Sequence, residues 1–391
     1  MLLAVLIALT SLGASSQRNR EPGVADAEIR VGNLMPYTGN LKPFGAIGKA
    51  EAAYFDMINE RGGINGRKVR FISYDDNSDP TTALDLTRGL VERDGVLLLF
   101  GSFGTPDNLA VRKYLNERQI PQLFVASGDE QFGNPSVFPW TMGWRPSLRD
   151  EGRIYANYIQ ALYPGHKIVV LWQNDQFGRD LYKGLVDGLG DLARSIIVDI
   201  AYDMSDAYLE THISILKRSG ADIFVFAGVP ANAARAIQVA ADLNWHPVFI
   251  LNSLAASIEG GLKPAGLEKS VGVISATYLK DIGDPVWKND VATSDWLTFD
   301  DSAALYGYAA AETLAQVLRQ CGDDLSRESV MQQAAALQNY QPSFLLPDIK
   351  ISTGRWDFRP IKQMRLVQFD GRSWQPIGDV LETAFSNGSK K

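Results

Sequence analysis

The stretch that decides the fold is VLLLF at Val96–Phe100, followed at once by the turn GSFGTPDN at Gly101–Asn108. Five apolar residues are too few for a helix and are typical of a strand buried on both faces. The turn suits the start of a helix, which we predict over Leu109–Arg118. A second strand, Leu123–Ala126, ends in the polar turn Ser127–Asp129. Two strand ends therefore present hydroxyls and backbone N–H groups side by side, where open α/β sheets bind ligands.

The same alternation of strands and helices extends on both sides of this stretch. Before it we predict, in order, Glu28–Met35 as strand, Phe44–Arg61 as helix, Lys68–Tyr74 as strand and Thr81–Arg93 as helix. After Pro146 the order restarts, with strands at Lys167–Trp172, Ser195–Ala201, Asp222–Ala227, Val248–Leu251 and Ser270–Ala276 and helices between them. Strict alternation predicts parallel doubly wound sheets, here in two α/β lobes.

The last third of the chain does not begin a third sheet. It predicts two helices, Asp301–Arg319 and Ser326–Leu337, and then hairpin-like strands such as Gln363–Phe369. Because no linker or low-complexity segment separates these elements from the rest, we expect them to return and complete both lobes.

Composition limits the classes of function. The chain has 391 residues, of which 46% are apolar and 21% charged, as in a folded soluble protein. A net charge of −7 argues against nucleic acid as a partner. The single cysteine, Cys321, excludes an internal disulfide, and the histidines His166, His212 and His246 lack metal-site spacing. We therefore expect no metal.

The N-terminus resembles a secretory leader over residues 1–16, with an apolar run followed by small residues but without a basic start. About ten apolar residues cannot span a bilayer, so a membrane anchor is disfavoured. We predict that the rest of the chain is exported.

Motifs for catalysis are missing from the sequence. There is no phosphate-binding loop, no dinucleotide GxGxxG and no GxSxG elbow. The adjacent acids Asp75 and Asp76 fit a capped turn better than an acid/base pair. We predict a binding protein without a cofactor, not an enzyme.

Several segments carry a resemblance to a known family: VGNLMPYTGNLKPFG, ERGGINGRKVRFISYDDNSDP, LLFGSFGTPDN, IPQLFVASGD and NDQFGRDL. Together they resemble the leucine/isoleucine/valine-binding-protein group of type I periplasmic solute-binding proteins, which feed ABC importers. The resemblance implies two doubly wound parallel-sheet lobes joined by three crossovers, which close on a small ligand. Lobe 1 would comprise residues 28–145 and 278–360, and lobe 2 residues 146–277 and 361–384. It also implies a periplasmic monomer that meets an ABC permease in the inner membrane.

The resemblance implies a ligand-carboxylate site in the turns already described. Its members would be Ser102, Phe103, Thr105, Ala126, Ser127 and Gly128, with Phe44 as an aromatic lid. Hydroxyls and N–H groups near a helix start stabilise an anion without a salt bridge. Each residue also has a structural interpretation, because Thr105 could simply cap its helix and Phe44 could staple the first one.

The chain departs from the amino-acid binders of this group where they hold the ligand's ammonium. The aligned positions are Gly128, Phe177, Val229 and Ser253. None supplies an anion, and a buried ammonium without acceptors costs several kcal/mol. We therefore expect a ligand without an α-amino group: an aromatic or branched carboxylic acid, or a neutral amide. Aromatic candidates for the wall, each equally suited to the core, are Trp144, Trp172, Tyr278 and Tyr308.

The function predicted from the sequence is thus that of a receptor for a small acid in an ABC importer. The alternative is a receptor of the same fold that senses amides or amino acids for a signalling partner. An enzyme on this scaffold is a further alternative, against which the missing acid/base pair speaks.

Overall fold

The structure is a computed structural model that describes residues 21–206, 209–281 and 302–382. The predicted leader, residues 1–16, lies outside the described residues. The same holds for residues 282–301 of the predicted lobe 1 and residues 383–384 of the predicted lobe 2.

The first sheet, in the lobe that we call lobe 1, has five parallel strands in the order β2-β1-β3-β4-β5. They are β1 (Glu28–Met35), β2 (Lys68–Asp75), β3 (Leu98–Phe100), β4 (Gln122–Val125) and β5 (Thr141–Gly143). Three helices connect them: α1 (Ala46–Glu60), α2 (Pro80–Glu92) and α3 (Thr105–Glu117). The predicted start of α3 at Leu109 is wrong: the helix begins at Thr105, because Pro106 is accommodated in its first turn. Strand β5 was not predicted.

The second sheet, in lobe 2, has seven strands in the order β12-β11-β10-β9-β8-β6-β7. They are β6 (Ile168–Gln173), β7 (Ile196–Tyr202), β8 (Ile223–Ala227), β9 (Val248–Leu251), β10 (Ile274–Thr277), β11 (Gln363–Phe369) and β12 (Trp374–Glu382). Strands β6 to β10 are parallel, whereas β11 and β12 form an antiparallel hairpin that extends the sheet beyond β10. The helices of this lobe are α4 (Leu148–Leu162), α5 (Gln176–Leu189), α6 (Leu209–Arg218) and α7 (Pro230–Asp242).

The C-terminal third divides between the two lobes. Helix α8 (Ser302–Cys321) packs on α1, and Gly307 permits the contact because a Cβ there would lie 2.3 Å from the carbonyl oxygen of Ile47. Helix α9 (Arg327–Ala334) joins the same lobe through Arg327 Nε, which donates to Leu97 O at 2.9 Å. The hairpin β11–β12 then belongs to lobe 2. The chain therefore crosses between the lobes three times: after β5, after β10 and before β11.

Strand β4 contains one extra residue relative to its neighbour. Gln122 pairs with Thr141 and Val125 pairs with Gly143, so three steps along β4 match two along β5. Phe124 lies within this irregular part of β4. Its φ angle is 55°, in the left-handed region that bulky residues rarely adopt. Its side chain is fully buried and packs edge-on against Phe100, with ring centroids 6.5 Å apart. This β-bulge immediately precedes the turn at Ser127.

Candidate functional site

A cavity of about 650 Å³ lies between the two lobes. Lobe 1 contributes the start of α1, with Phe44 and Ile47, and the start of α8. Lobe 2 contributes the segments that follow β8 and β9 and the faces of β10, β11 and β12. Of the residues predicted for the site, four line this cavity: Phe44, Val229, Ser253 and Tyr278. A volume of this size is ordinary for a small-molecule site.

The turns at Thr105 and Ser127 meet as expected, but within the described part of the chain they are not among the residues that line the cavity. Thr105 Oγ1 and Ser127 Oγ lie 2.7 Å apart and share a hydrogen bond. Ser102 Oγ accepts a hydrogen bond from Leu34 N at 3.1 Å, which ties β3 to β1. These hydroxyls therefore already have partners within lobe 1.

Two of the three backbone N–H groups expected to complete a carboxylate site, those of Ala126 and Ser127, are also engaged. Ala126 N donates to Ser102 O at 2.9 Å, and Ser127 N donates to Val125 O at 2.8 Å. The carbonyl oxygen of Gly128 accepts from Leu148 N, the first residue of α4. The expectation that the N–H groups of Ala126 and Ser127 are free is therefore wrong, because the bulged end of β4 uses them to hold its own turn.

Two buried carboxyl groups flank these turns. Burial, together with the charges of Asp76 and Asp79, raises the pKa of Asp107 to about 7. Burial and the charge of Asp180 raise the pKa of Asp129 to about 6, although its hydrogen bond from Gln131 N opposes the shift. At a pH above these values both carboxyl groups are ionised, and their negative charge disfavours a ligand carboxylate at the Thr105 turn.

Five of the predicted aromatic side chains pack inside a lobe. Phe103 stacks on Phe44 at 4.5 Å, and Trp144 Nε1 donates to Thr313 Oγ1 at 3.1 Å. Trp172 stacks on Tyr182 of α5 at 5.4 Å, because it shares a strand face with Ile168 and Val170, which pack beneath the helices. Tyr308 lies between Tyr54 and Phe344, at 4.7 and 5.1 Å, and Phe177 packs against the same core from the start of α5. The structure brings none of these five to the described lining of the cavity.

Val229 and Ser253 line the cavity from lobe 2. Both occupy positions that align with the ammonium site of the amino-acid binders. Ser253 N and Oγ donate to the two carboxylate oxygens of Glu151, at 2.5 and 3.0 Å. Tyr155 OH also donates to Glu151, at 2.7 Å. Glu151 is thus buried and hydrogen-bonded from within lobe 2, and the Ser253 hydroxyl already donates its proton to that carboxylate.

Arg145 is the residue that the sequence analysis missed. It lies in the first crossing, between β5 and α4, and lines the cavity beside Tyr278 and Tyr306. Its guanidinium carbon is 5.7 Å from the centre of the Tyr306 ring. Burial opposes its charge, but the fields of Tyr278, Tyr306 and Glu151 outweigh that effect and raise the pKa of Arg145. The sequence GWRPS carries no motif that could have marked it.

Among the residues that the structure describes, the charged side chains that line the cavity are mostly basic: Arg145, Lys263, Lys280, Arg365 and Arg372, against the acidic Glu259 and Asp281. Both acidic residues have partners, because Glu259 pairs with Lys263 and Asp281 Oδ2 accepts from Trp374 N at 3.4 Å. The chain as a whole is acidic, so the positive excess is local to this cavity. Such a cavity favours an anion over a cation.

Two features are absent from residues 21–206, 209–281 and 302–382. No group of three or more histidine, cysteine, aspartate or glutamate side chains there could hold a metal ion. No helix there combines the length and the apolar character that a membrane crossing requires.

Comparison with known proteins places the chain in a family. The family model described as periplasmic binding protein matches residues 28–373. The Leu/Ile/Val-binding protein homolog 1 of Brucella suis is 25% identical over 319 residues, which cover 78% of this chain and 82% of the relative.

Solved structures show the same fold. A branched-chain amino acid ABC transporter protein from Thermus thermophilus with bound valine has a TM-score of 0.82 at 16% identity, over 92% of this chain and 97% of that one. A fatty acid ABC transporter substrate-binding protein from Thermomonospora curvata has a TM-score of 0.78 at 18% identity, over 93% and 94%. The predicted fold of two parallel-sheet lobes joined by three crossings is confirmed, and the chain belongs to the periplasmic binding protein family.

Proposed function

We propose that this protein is the extracytoplasmic receptor of an ABC importer and that it binds a carboxylate without an α-amino group. Membership of the periplasmic binding protein family supports the receptor role, as do the names of its relatives, which include Leu/Ile/Val-binding protein homologs. The fold of two lobes around a shared cavity suits capture of a small solute by closure.

The observation that carries the choice of ligand is the charge of the cavity lining. In the described part of the lining, five basic side chains face two acidic ones; Glu259 pairs with Lys263, and Asp281 accepts a hydrogen bond from Trp374 N. An amino acid would bring an ammonium group into this mostly basic lining, whereas an acid brings only the charge that the lining favours. Apolar walls at Phe44, Val229 and Leu254 suit an aromatic or branched body.

A matched pair of ligands tests the proposal. Leucine and 4-methylpentanoate share a carbon skeleton and differ only in the α-ammonium group. We expect 4-methylpentanoate and phenylacetate to raise the melting temperature of the purified protein and leucine to leave it unchanged, because only a ligand of the folded state stabilises it. A shift with leucine alone would contradict the proposed ligand class.

The role in import needs a separate measurement. Cells that lack the protein should lose uptake of whichever labelled acid binds to it. Normal uptake in those cells would instead favour the alternative role, a receptor that senses its ligand for a signalling partner.

A further inference from the structure

We infer that Arg145 and the hydroxyl of Tyr306 hold the ligand's carboxylate at the inner end of the cavity, and that the ligand has an elongated apolar body. This inference rests on the proposed function and names the acceptor site and the shape of the ligand. It moves the carboxylate away from the Thr105 turn, where the resemblance to branched-chain amino acid binders would put it.

Arg145 has the properties of an anion anchor. It lines the cavity and has no carboxylate within 4.0 Å among the residues that the structure describes. The nearest counter-charge is Glu151, which is already bonded to Ser253 and Tyr155. A guanidinium presents a planar fork of donors that matches the two oxygens of a carboxylate. A ligand acid would therefore supply the ion partner that the lobes do not.

Tyr306 supplies an independent observation at the same place. Its side chain is only 4% exposed, yet its hydroxyl has no hydrogen-bond partner among the described residues. A buried hydroxyl in that state is costly, and native structures seldom leave one unpaired. Tyr306 and Arg145 line one cavity, and the Tyr306 ring lies beside the guanidinium. An acceptor bound to Arg145 is therefore well placed to accept a hydrogen bond from the Tyr306 hydroxyl.

Residues that line the cavity lie on or after five neighbouring strands of the lobe 2 sheet. The cavity lining includes Val229 after β8, Ser253 after β9, Tyr278 after β10, Arg365 on β11 and Trp374 on β12. Five neighbouring strands are separated by four steps of about 4.8 Å, or roughly 19 Å in total. An extended alkyl chain advances roughly 1.3 Å per carbon, given bonds of about 1.5 Å. The cavity thus accepts an acid much longer than leucine, such as an alkyl or aryl-alkyl carboxylate.

The other basic side chains of the lining suit the carboxylate less well, because Lys280 donates to Ser343 O and Arg372 is exposed to solvent. Lys263 is exposed and pairs with Glu259, and Arg365 Nε donates to Gly378 O at 3.1 Å. The lining also includes apolar side chains such as Leu254 and Ile258. The head of the ligand therefore has its strongest partner at the crossing, and the tail extends along the sheet.

The test uses the full chain and three probes: 8-phenyloctanoate, its primary amide and phenylacetate. Titration calorimetry should show that the unmodified protein binds 8-phenyloctanoate more tightly than phenylacetate. Arg145→Gln should weaken binding of the long acid by roughly tenfold to a hundredfold. Binding of the matched amide should change by less than about threefold, because the amide carries no charge for Arg145 to pair. A merely structural role of Arg145 would weaken the acid and the amide alike.

Two further variants keep the test decisive. Arg327→Gln removes another partly buried arginine, whose partners Val96 O and Leu97 O lie away from the cavity, and should leave the affinity unchanged. Tyr306→Phe removes a hydroxyl that has no partner in the described part of the chain, so it should weaken binding of the acid without lowering the melting temperature. If Arg145→Gln does not fold, the acid-to-amide ratio of Tyr306→Phe decides in its place.

The outcomes separate the inference from the proposed function. If the unmodified protein binds the acids and Arg145→Gln keeps the affinity for 8-phenyloctanoate, the anchor is wrong and the function stands. If phenylacetate binds as tightly as the long acid, the elongated body is wrong. If neither acid binds, the proposed ligand class fails and the inference fails with it.

Discussion

The buried carboxyl group of Asp107 gives the sharpest prediction about stability. Asp107 is only 4% exposed, and one of its carboxylate oxygens has no hydrogen-bond partner among the described residues. It is the third residue of α3, where the helix dipole stabilises a carboxylate by only about 0.3–1 kcal/mol. Burial and the neighbouring Asp76 outweigh that effect and raise its pKa to about 7. The Asp107→Asn variant removes this buried charge.

The magnitude follows from the pKa shift. The unfolded chain ionises Asp107 near pH 3.8, whereas the native protein holds the proton until about pH 7. The native state therefore binds more protons between these values, and the free energy of unfolding falls as the pH rises through that window. A difference of about three pH units corresponds to at most about 4 kcal/mol. Asp107→Asn should thus stabilise the protein by a few kcal/mol at pH 8 and by little at pH 4.

Urea unfolding at pH 4, 6 and 8 measures this difference. Asp85→Asn is the control, because Asp85 is exposed and pairs only with Arg88 on the same helix, at 3.2 Å. That change should alter the free energy of unfolding by less than about 1 kcal/mol at each pH. If Asp107→Asn changed the free energy by the same amount at pH 4 and pH 8, the carboxylate would not be the cause, and the argument that the Thr105 turn repels anions would lose its basis.

Three further predictions concern the two lobes. Thr105→Ala should cost about 0.5–1.5 kcal/mol of stability through the lost bond to Ser127 and change the affinity for 8-phenyloctanoate by less than about threefold; a tenfold loss in calorimetry would return the carboxylate to that turn. Small-angle scattering should give a smaller radius of gyration with ligand than without, and identical profiles would rule out closure. Glu130→Gln removes a 3.2 Å ion pair with Arg149 across the lobes and should weaken binding by about two- to fivefold; unchanged affinity would show that the pair does not hold the closed state.

Much of the fold could be predicted from the sequence because its strands are strongly marked. The apolar run at Val96–Phe100 has both faces buried, and its turn leads into a helix as predicted. Strand β5 was not predicted because three residues between prolines are too few to show a periodic pattern. Its pairing with β4 comes from tertiary contact and not from local preference.

The candidate site was only partly predictable, for a different reason. Val229 and Ser253 follow strands, so their place at the cavity edge follows from the topology. Trp172 also lies at the end of a strand, but both faces of a doubly wound sheet are apolar, and alternation alone does not tell which face meets the ligand. Arg145 acquires its role from Tyr306, which a distant part of the chain brings beside it. The sequence around each residue contains no signal that predicts this contact.

The bulge in β4 decides which side of the strand each later side chain occupies. Side chains alternate along a strand, so one extra residue reverses the parity of everything after it. Deleting a residue at Phe124 would thus turn Ser127 away from Thr105. The left-handed backbone at Phe124 costs about 1–3 kcal/mol, whereas loss of a buried phenylalanine costs about 3–5 kcal/mol. A glycine there would relax the backbone and still leave the protein less stable. Burial of the Phe124 ring therefore stabilises the bulge by more than its strained backbone costs.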